Sequence, residues 1–289
     1  MKNVTVVGAD GFIGSAVVKE LCLNGYSPIT VTRNSKIDKD INNINIVFYL
    51  AGSCTPHNAA DNAVHSRFDL KSLMQFLDNL KGVKTRPLFV FASSAGTVYD
   101  PAGPQPYRES SWLKAVNHYG QSKLEQENVV REASWVEPLI LRLSNIYGPY
   151  QKAKPGFGVI AHWAQKISRY EPIEMMGNSG RDYLNIADLV DIFLKIAHNS
   201  PTRYTGLTVN IASGETITLE ELYHVFTKAT VRPIEMIKKP ARAFDVKYVS
   251  IDNSLAKELF NWQPEITLIA GIKAVLTANY AANNKNIET

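Results

Sequence analysis

The 289-residue sequence has no apolar run long enough to cross a bilayer, and its first residues, MKNVTVVGAD, lack the pattern of a signal peptide. It has only two cysteines, Cys22 and Cys54, and they show no spacing typical of metal ligands. We therefore expect a cytoplasmic protein that does not insert into a membrane, that holds no metal, and that keeps both thiols buried and reduced.

The sequence also lacks a strong charge of either sign. Its formal net charge is +4 at pH 7, and basic clusters such as MIKKPAR are single local patches, which argues against a nucleic-acid partner. With 45% hydrophobic and 20% charged residues it has the composition of an ordinary globular protein. Its length suits one large α/β domain, or a major domain with a smaller lobe.

Apolar segments in the first half alternate between strand and helix patterns. The strand candidates are NVTVVG, SPITVT, INIVFYLAG, PLFVFAS and PLILRLS. Helices are predicted near residues 12–25, 58–80, 116–133, 157–169, 186–198 and 218–229. This alternation predicts a Rossmann-type doubly wound α/β fold, with a parallel sheet covered on both faces. The polar tail NYAANNKNIET is expected to fray.

The stretch VVGADGFIGS places Gly8, Gly11 and Gly14 at intervals of three between the first strand and the first helix. Such glycines permit a tight turn, close approach of the backbone to a pyrophosphate, and close packing of the helix on the strand. The G-x-x-G-x-x-G spacing differs from the G-x-G-x-x-G fingerprint of the common dehydrogenases. For this segment taken alone, a simple tight turn without a ligand is the alternative.

The segment NHYGQSK supplies Tyr119 and Lys123, which stand four apart and therefore on one face of a predicted helix. A lysine ammonium beside a phenol favours the phenolate, so Lys123 is predicted to lower the pKa of Tyr119 for general acid/base chemistry. Ser93, Ser94 and Thr97 lie at the strand edge where open α/β folds bind ligands, and are candidates to bind the reacting oxygen. The alternatives are a surface Tyr/Lys pair and serines that satisfy the end of the strand.

These segments are part of an ordered series of motifs between about residues 3 and 275: VGADGFIGS, YLAG, SSAGTVYD, YGQSK, LRLSNIYGP, RDYLNIADLVD, NIASGETITLEEL and PARAFDV. With them the sequence resembles the extended short-chain dehydrogenases/reductases, in particular the nucleotide-sugar epimerases, dehydratases and reductases. The resemblance implies an NAD(P)-binding Rossmann domain over residues 1–150. It implies a lobe over residues 151–289 that mainly binds a nucleotide-sugar substrate, intimately packed on the first, and it suggests a homodimer formed through long helices near Tyr119.

The resemblance also implies roles for individual residues. Tyr119 and Lys123 match the catalytic pair, and Asn145 matches a residue that binds the substrate pyrophosphate. Arg181 and Arg242 match two arginines that clamp the diphosphate, and Ser94 would also contact the substrate. The implied cofactor-binding residues are Gly8, Gly11, Phe12, Ile13, Gly14, Arg33, Asp40, Ile41, Leu50, Ala51, Tyr119 and Lys123.

Departures from the family's pattern bear on the reaction. Ala95 stands where many relatives carry the catalytic Ser or Thr, so the hydroxyl must come from Ser94 or Thr97, and both are candidates. The acidic pair that follows this hydroxyl in 4,6-dehydratases is absent, because Ala95, Gly96 and Thr97 offer no carboxylate. We therefore do not expect dehydration. Asp188, in RDYLNIADLVD, is expected to have a structural role.

The end of the second predicted strand bears on the cofactor. A carboxylate there would bind the ribose 2′-hydroxyl of NAD, whereas an arginine pairs with the 2′-phosphate of NADP. Thr32 is followed by Arg33, which favours NADP(H). NAD(H) is the alternative, because Asp38 could reach the ribose through the shortened segment that follows. In that segment Asp40 and Ile41 match a pair that borders the adenine, with a plain loop as the alternative.

The features together predict NADPH-dependent reduction of the 4-keto group of a nucleotide-activated sugar, of the dTDP-4-dehydro-6-deoxyglucose reductase type, in the synthesis of surface polysaccharide. A net reductase exchanges its cofactor at each turnover and draws on NADPH, which favours this prediction. The alternative is a 4-epimerase, of the UDP-glucose 4-epimerase type, that oxidises and reduces one sugar on a retained NAD. A remote alternative is an NADP-binding sensor without catalysis.

Overall fold

The computed structural model describes residues 2–33, 35, 43–61, 63–154, 156–199, 201–241 and 246–285. Its strands are β1 (Val4–Val7), β2 (Ile29–Val31), β3 (Ile46–Tyr49), β4 (Leu88–Ser94), β5 (Glu137–Leu143), β6 (Asn145–Tyr147), β7 (Ile173–Met176), β8 (Gly180–Asn185), β9 (Thr208–Ile211), β10 (Thr216–Thr218) and β11 (Met236–Lys239). Its helices are α1 (Phe12–Leu23), α2 (Asn58–Asp61), α3 (Val64–Asn79), α4 (Ala95–Val98), α5 (His118–Glu132), α6 (Val159–Ser168), α7 (Ile186–His198), α8 (Leu219–Ala229), α9 (Ser254–Phe260) and α10 (Leu268–Lys285). Within these ranges no helix combines the length and apolar character needed to span a membrane.

The main sheet has six parallel strands in the order β2-β1-β3-β4-β5-β9. Every residue of β1 and β3 is buried, as expected of parallel strands that are covered on both faces. β2 lies on one side of β1 and β3 on the other, so the strand order reverses at β1. Open α/β sheets bind ligands outside the carboxyl ends of their strands at such a switch point. The predicted doubly wound α/β fold is confirmed.

Helices on the two faces of the sheet receive alternate side chains of the strands. Phe48 of β3 meets Phe193 of α7 edge to face, with ring centroids 4.9 Å apart. The next residue, Tyr49, packs against Phe76 of α3 with ring centroids 5.7 Å apart. Successive residues of a strand point to opposite faces, so β3 joins two cores: one beneath α1 and α7, the other beneath α3 and α5.

The second half of the chain contributes to both parts of the molecule. β9 is the sixth strand of the main sheet, and α7 packs on α1 in the first core. Helices α6, α8 and α10 form a separate core around Trp163, Phe226 and Ile272, beside a three-stranded sheet, β10-β8-β6, and a two-stranded sheet, β11-β7. The assignment of the cofactor to residues 1–150 and of the substrate mainly to residues 151–289 stays a prediction.

Two expectations about the helices were wrong. The helix predicted over 58–80 is divided into α2 and α3. Of the tail expected to fray, residues 279–285 belong to α10, because Val275 and Leu276 are buried in the C-terminal core; residues 286–289 lie outside the described residues. The amide of Asn283 also donates to the carbonyl and hydroxyl oxygens of Ser168, at 3.1 and 2.8 Å. Tertiary burial thus stabilises a helix whose sequence is locally polar.

A buried ion pair fastens α5 to the sheet. Arg142 of β5 donates from Nε and Nη2 to the two carboxylate oxygens of Glu127 of α5, at 3.0 and 2.8 Å. Ser93 donates to the same carboxylate at 2.5 Å. Arg142 also donates to the Tyr99 hydroxyl at 3.1 Å, and Tyr99 donates to Asn210 of β9 at 2.6 Å. One polar network therefore connects α5 with β4, β5 and β9.

We predict that Arg142→Met lowers the free energy of unfolding by about 3 kcal/mol, because it leaves the Glu127 carboxylate buried without its main partner. Arg131→Met is the matched control. Arg131 binds the same carboxylate at 2.9 Å but is 37% exposed, so its loss should cost about 1 kcal/mol or less. Urea denaturation at neutral pH measures both values. Equal losses in the two variants would contradict this account of the pair.

The same pair gives stability a dependence on pH. Burial raises the pKa of Glu127, but the hydrogen bonds and charge of Arg142 outweigh burial and hold that pKa below its usual value. A carboxylate with a lowered folded pKa stabilises the fold above its unfolded pKa, and this stabilisation is lost as the pH falls through the folded pKa. The difference between the wild type and Arg142→Met should therefore shrink in acid.

Candidate active site

The glycine turn between β1 and α1 is shaped by close backbone contacts. Gly8 has φ +83°, and a Cβ there would lie 2.7 Å from the Ala51 nitrogen. A Cβ on Gly14 would lie 2.0 Å from the Gly8 carbonyl oxygen. A Cβ on Gly11 would meet only the Gly8 oxygen, at 3.1 Å. The chain itself therefore requires the first and third glycines, and the space around Gly11 fits a ligand that approaches the backbone.

The N-terminus of α1 fits an anion. Gly11 is its N-cap and supplies no side-chain hydrogen bond, and no acidic residue stands in the first turn. The first N–H groups of a helix have no partner inside the helix, and the helix dipole favours negative charge there. Phe12 and Ile13 begin the helix and pack against the core. The predicted residues thus form a turn suited to the pyrophosphate of a dinucleotide.

The loop after β3 lies against this turn. Leu50 donates its backbone N–H to the Val7 carbonyl at 2.9 Å, and Ala51 is the residue that approaches Gly8. Further along, Ser53 and Cys54 donate to the carboxylate of Asp69 of α3. Leu50 and Ala51 therefore lie beside the glycine turn at the switch point, and their contact with the cofactor stays a prediction. Sequence reasoning missed Asp69. An aspartate among the apolar residues of an amphipathic helix is a signal of a buried carboxylate that binds specific partners.

Tyr119 and Lys123 are brought together on α5. Asn117 caps the helix by accepting the Gly120 N–H at 2.8 Å. The Ser94 side chain lies near the Tyr119 phenol and lowers its pKa. Lys123 donates to the Ala92 carbonyl at 2.9 Å, and its Nζ lies 6.0 Å from the centre of the Tyr119 ring. The pair stands at the carboxyl end of β4, where it was predicted, and not on the open surface.

Gly120 is a second residue that sequence reasoning missed. A Cβ at this position would lie 2.3 Å from the Thr97 carbonyl oxygen and 2.9 Å from the Ala115 side chain. Only a glycine lets the first turn of α5 approach α4 this closely. Since Tyr119 precedes it, this contact sets the distance between the phenol and the end of β4.

The electrostatics of the pair differ from the prediction. Burial raises the pKa of Tyr119, the nearby Cys54 and Asp69 add to the increase, and Ser94 opposes it. Burial also lowers the pKa of Lys123. The pKa of Tyr119 is therefore raised, and not lowered as predicted, because desolvation of the phenolate is the largest effect on it.

The three candidate hydroxyls have different surroundings. Ser93 is buried and bound to Glu127, so the structural alternative applies to it. Ser94 lies near Tyr119 and lowers its pKa. The Thr97 hydroxyl is buried without a hydrogen-bond partner among the described residues, and Thr97 lines a small pocket with Tyr107. Ser94 and Thr97 both stay candidates for the catalytic hydroxyl.

Asn145 and Arg181 lie on the small sheet. Asn145 of β6 pairs with Tyr183 of β8, and Arg181 stands two residues before Tyr183, so all three share one face. Asn145 donates to the Asp182 carbonyl at 2.9 Å, and Arg181 donates to the Gly180 carbonyl at 2.7 Å. The structure thus places both predicted diphosphate-binding residues on one face. The third, Arg242, lies outside the described residues.

Arg33 is exposed after the end of β2. It makes no hydrogen bond or ion pair with any residue that the structure describes. Thr32 is bound locally, because its N–H donates to the Ser35 hydroxyl at 2.9 Å. Asp40 and Ile41, predicted to border the adenine, lie outside the described residues, as does Asp38.

Two further expectations can be compared with the structure. Asp188 accepts the backbone N–H groups of Glu265 and Ile266, at 2.9 and 3.4 Å, so its structural role is confirmed. The expectation that both thiols are buried was wrong: Cys22 is exposed, and Cys54 is only partly buried.

Comparisons with known proteins agree with this geometry. A model of the NAD dependent epimerase/dehydratase family matches residues 4–212. The putative UDP-glucose 4-epimerase of Methanocaldococcus jannaschii is 26% identical, over 97% of this chain and 99% of that protein. The dTDP-4-dehydro-6-deoxyglucose reductase of Escherichia coli is 27% identical, over 95% and 96% of the two chains. The structure of the Thermotoga maritima UDP-glucose 4-epimerase with UDP-glucose superposes with a TM-score of 0.85 at 26% identity, over 98% and 99%.

We predict that Gly120→Ala lowers the free energy of unfolding by about 1–3 kcal/mol, because the added methyl group forces α5 away from the Thr97 carbonyl. Turnover that depends on Tyr119 should fall as well, by about tenfold or more, since small displacements of reacting groups are costly. Gly96→Ala is the matched control, because a Cβ there meets nothing within 4 Å. Urea denaturation and steady-state rates measure the effects. Wild-type values for Gly120→Ala would refute the proposed contact.

Proposed function

Because this chain belongs to the NAD dependent epimerase/dehydratase family, we propose that it is an NADPH-dependent reductase of the 4-keto group of a nucleotide-activated sugar. The family and the relatives make it an NAD(P)-dependent enzyme of nucleotide sugars. The direction of the reaction, the preference for NADP(H) and the roles of individual residues are our proposal. The substrate that we propose is of the dTDP-4-dehydro-6-deoxyglucose type.

The observation that carries the proposal is the placement of Tyr119 and Lys123 together at the carboxyl end of β4, beside the glycine turn. Burial, Cys54 and Asp69 raise the pKa of Tyr119, so its phenol is a proton donor at neutral pH. Reduction of a ketone needs such a donor, since the carbonyl oxygen takes up a proton as hydride reaches the carbon. Bound NADPH would supply the hydride, and its reduced nicotinamide adds no positive charge that would ionise the phenol.

The surrounding groups suit this step. Tyr119 would give its proton to the C4 oxygen, while the Ser94 hydroxyl, which lies near the phenol, would hold that oxygen. Thr97 is the second candidate for this contact, since its hydroxyl is buried and unpaired within the described part of the chain. Lys123 uses one donor for the Ala92 carbonyl and keeps other N–H groups for the nicotinamide ribose.

The diphosphate of the substrate would lie on the face of β6 and β8. Asn145 keeps its amide oxygen and a second N–H beyond the bond to Asp182. The Arg181 guanidinium has five N–H donors in a planar fork that suits phosphate oxygens. Arg242 is proposed as the second arginine of this clamp. We also propose the homodimer, and the exposed Phe68 and Met74 of α3 are apolar side chains that a partner helix would cover.

The preference for NADP(H) rests on Arg33. No carboxylate stands at the end of β2 to bind a ribose 2′-hydroxyl or to repel a 2′-phosphate. Arg33 is exposed and pairs with no described residue, so its guanidinium is available for the 2′-phosphate. NAD(H) is the alternative cofactor.

The second candidate is a nucleotide-sugar 4-epimerase, which the identity to the methanogen and Thermotoga proteins favours. The same residues would serve it, but Tyr119 would first act as a base toward the C4 hydroxyl. Its raised pKa would then have to be lowered by the positive charge of an oxidised nicotinamide. The alternative of an NADP-binding sensor without catalysis has little support, because Tyr119 and Lys123 are both present and lie together on α5.

We expect the purified protein to oxidise NADPH when a dTDP-4-keto-6-deoxy sugar is added, and we expect Tyr119→Phe to lower this rate by about a hundredfold or more. The loss of NADPH absorbance measures the reaction. Cofactor binding, measured by NADPH fluorescence, should survive the substitution. A parallel sample receives UDP-glucose without added cofactor, and formation of UDP-galactose there with no NADPH oxidation in the first would favour the epimerase instead.

Arg33→Ala is expected to raise the Kd for NADPH by about tenfold or more, since an arginine–phosphate pair is lost, and to leave the Kd for NADH nearly unchanged. Arg86→Ala is the matched control, because Arg86 is an exposed arginine that precedes β4, at the opposite edge of the sheet. Fluorescence titration with each cofactor measures the change. If both cofactors lose affinity equally, or neither does, Arg33 does not bind the 2′-phosphate.

A further inference from the structure

Asp69 is a buried carboxylate that binds the loop after β3. It lies on α3 with 8% of its surface exposed. It accepts the Ser53 N–H at 2.9 Å, the Ser53 hydroxyl at 2.8 Å and the Cys54 N–H at 2.8 Å. Two consecutive backbone donors and a hydroxyl of one loop therefore converge on a single carboxylate. A charged acceptor with this many donors is strongly held.

The loop that Asp69 holds is the one that packs on the glycine turn. Its first residue, Leu50, is bound to Val7 of β1, and Ala51 leaves no room for a side chain at Gly8. Its far end, Ser53 and Cys54, is bound by Asp69. The segment from Leu50 to Cys54 is thus fixed at both ends, beside the switch point of the sheet.

Asp69 also faces the reacting groups. Its charge adds to the effect of burial in raising the pKa of Cys54 and of Tyr119, and it opposes the lowering of the pKa of Lys123 by burial. Other charged groups among the described residues also affect these pKa values. Lys123 lowers the pKa of Cys54, and Glu127, further along α5, raises the pKa of Lys123. His65 approaches the Ser53 hydroxyl at 3.5 Å.

We propose that Asp69 is a positioning residue for the reaction: its carboxylate fixes the Leu50–Cys54 loop at the cofactor cleft and places a constant negative charge beside Tyr119 and Lys123. The proposal rests on the proposed function for its catalytic meaning. The charge adds to the effect of burial, which raises the pKa of the Tyr119 proton donor. It also supports the charged form of Lys123, which burial disfavours.

Cys54 is a built-in reporter of this charge that requires neither cofactor nor turnover. In a Cys22→Ser background, the rate at which iodoacetamide alkylates Cys54 is measured against pH, since only the thiolate reacts. Asp69→Asn keeps an oxygen acceptor for the loop but removes the charge. The midpoint should move to lower pH by on the order of one unit, because a like charge near the thiolate is lost.

Asp78→Asn is the matched control, because Asp78 lies on the same helix, is exposed and pairs with Lys81. It should leave the midpoint unchanged. An unchanged midpoint in Asp69→Asn, or an equal shift in both variants, would overturn the charge part of the proposal. The alkylation of Cys54 can be measured whether or not the protein reduces a sugar. A negative result would therefore contradict the role of the Asp69 charge and not the proposed function.

The positioning part is tested by cofactor affinity. Asp69→Ala removes the acceptor and should raise the Kd for NADPH by about tenfold, whereas Asp69→Asn should raise it less. In the active enzyme, Asp69→Asn should also move the alkaline limb of kcat to lower pH, because the pKa of Tyr119 falls. Wild-type affinity in a folded Asp69→Ala protein would overturn the positioning role. If Asp69→Ala does not fold, the Kd for NADPH of Asp69→Asn is compared with that of Asp78→Asn. Equal values would overturn the positioning role.

Discussion

The buried pair of Glu127 and Arg142 is the interaction on which the arrangement of the site depends. Two parallel hydrogen bonds join the carboxylate of α5 to the guanidinium of β5, inside a core that excludes water. Such a pair is costly to bury and stabilises the fold only when its geometry is good and the remaining donors are satisfied. Both conditions hold, because Ser93 and Tyr99 complete the network. Glu127 lies two turns beyond Tyr119, so this anchor fixes the orientation of the helix that carries the phenol.

Close backbone contacts set the shape of the cleft around that helix. At Gly8, Gly14 and Gly120, a single added carbon would lie within 2.7 Å of backbone atoms of another segment. Each glycine therefore removes a side chain at a point where two segments meet. The glycine turn, the loop after β3 and the first turn of α5 are drawn to one edge of the sheet. The polar groups at this edge, Ser94 and Asp69, both affect the pKa of Tyr119.

The charge state of the phenol separates the two reactions that this scaffold supports. Burial and Asp69 keep Tyr119 protonated, which suits the uncharged nicotinamide of NADPH and a ketone that must be protonated. An epimerase begins with a positively charged nicotinamide and a phenol that must lose its proton. We propose that the same residues could serve either reaction, and that the cofactor bound at the end of β2 decides between them. In this proposal Arg33 and Asp69, far apart in sequence, both affect the reaction.

Local patterns in the sequence determined the alternation of strands and helices, the glycine turn and the pairing of Tyr119 with Lys123, because each depends on residues within one or two turns of the chain. Contacts between distant segments decided the rest. The sequence does not reveal that Ser93 is used by Glu127, that Gly120 meets Thr97, or that the helix α10 is stabilised by burial. Nor does it give the pKa of Tyr119, which is raised by desolvation and, to a smaller extent, by groups such as Asp69, fifty residues away. Burial and long-range charge are properties of the folded chain, so only the tertiary structure could establish them.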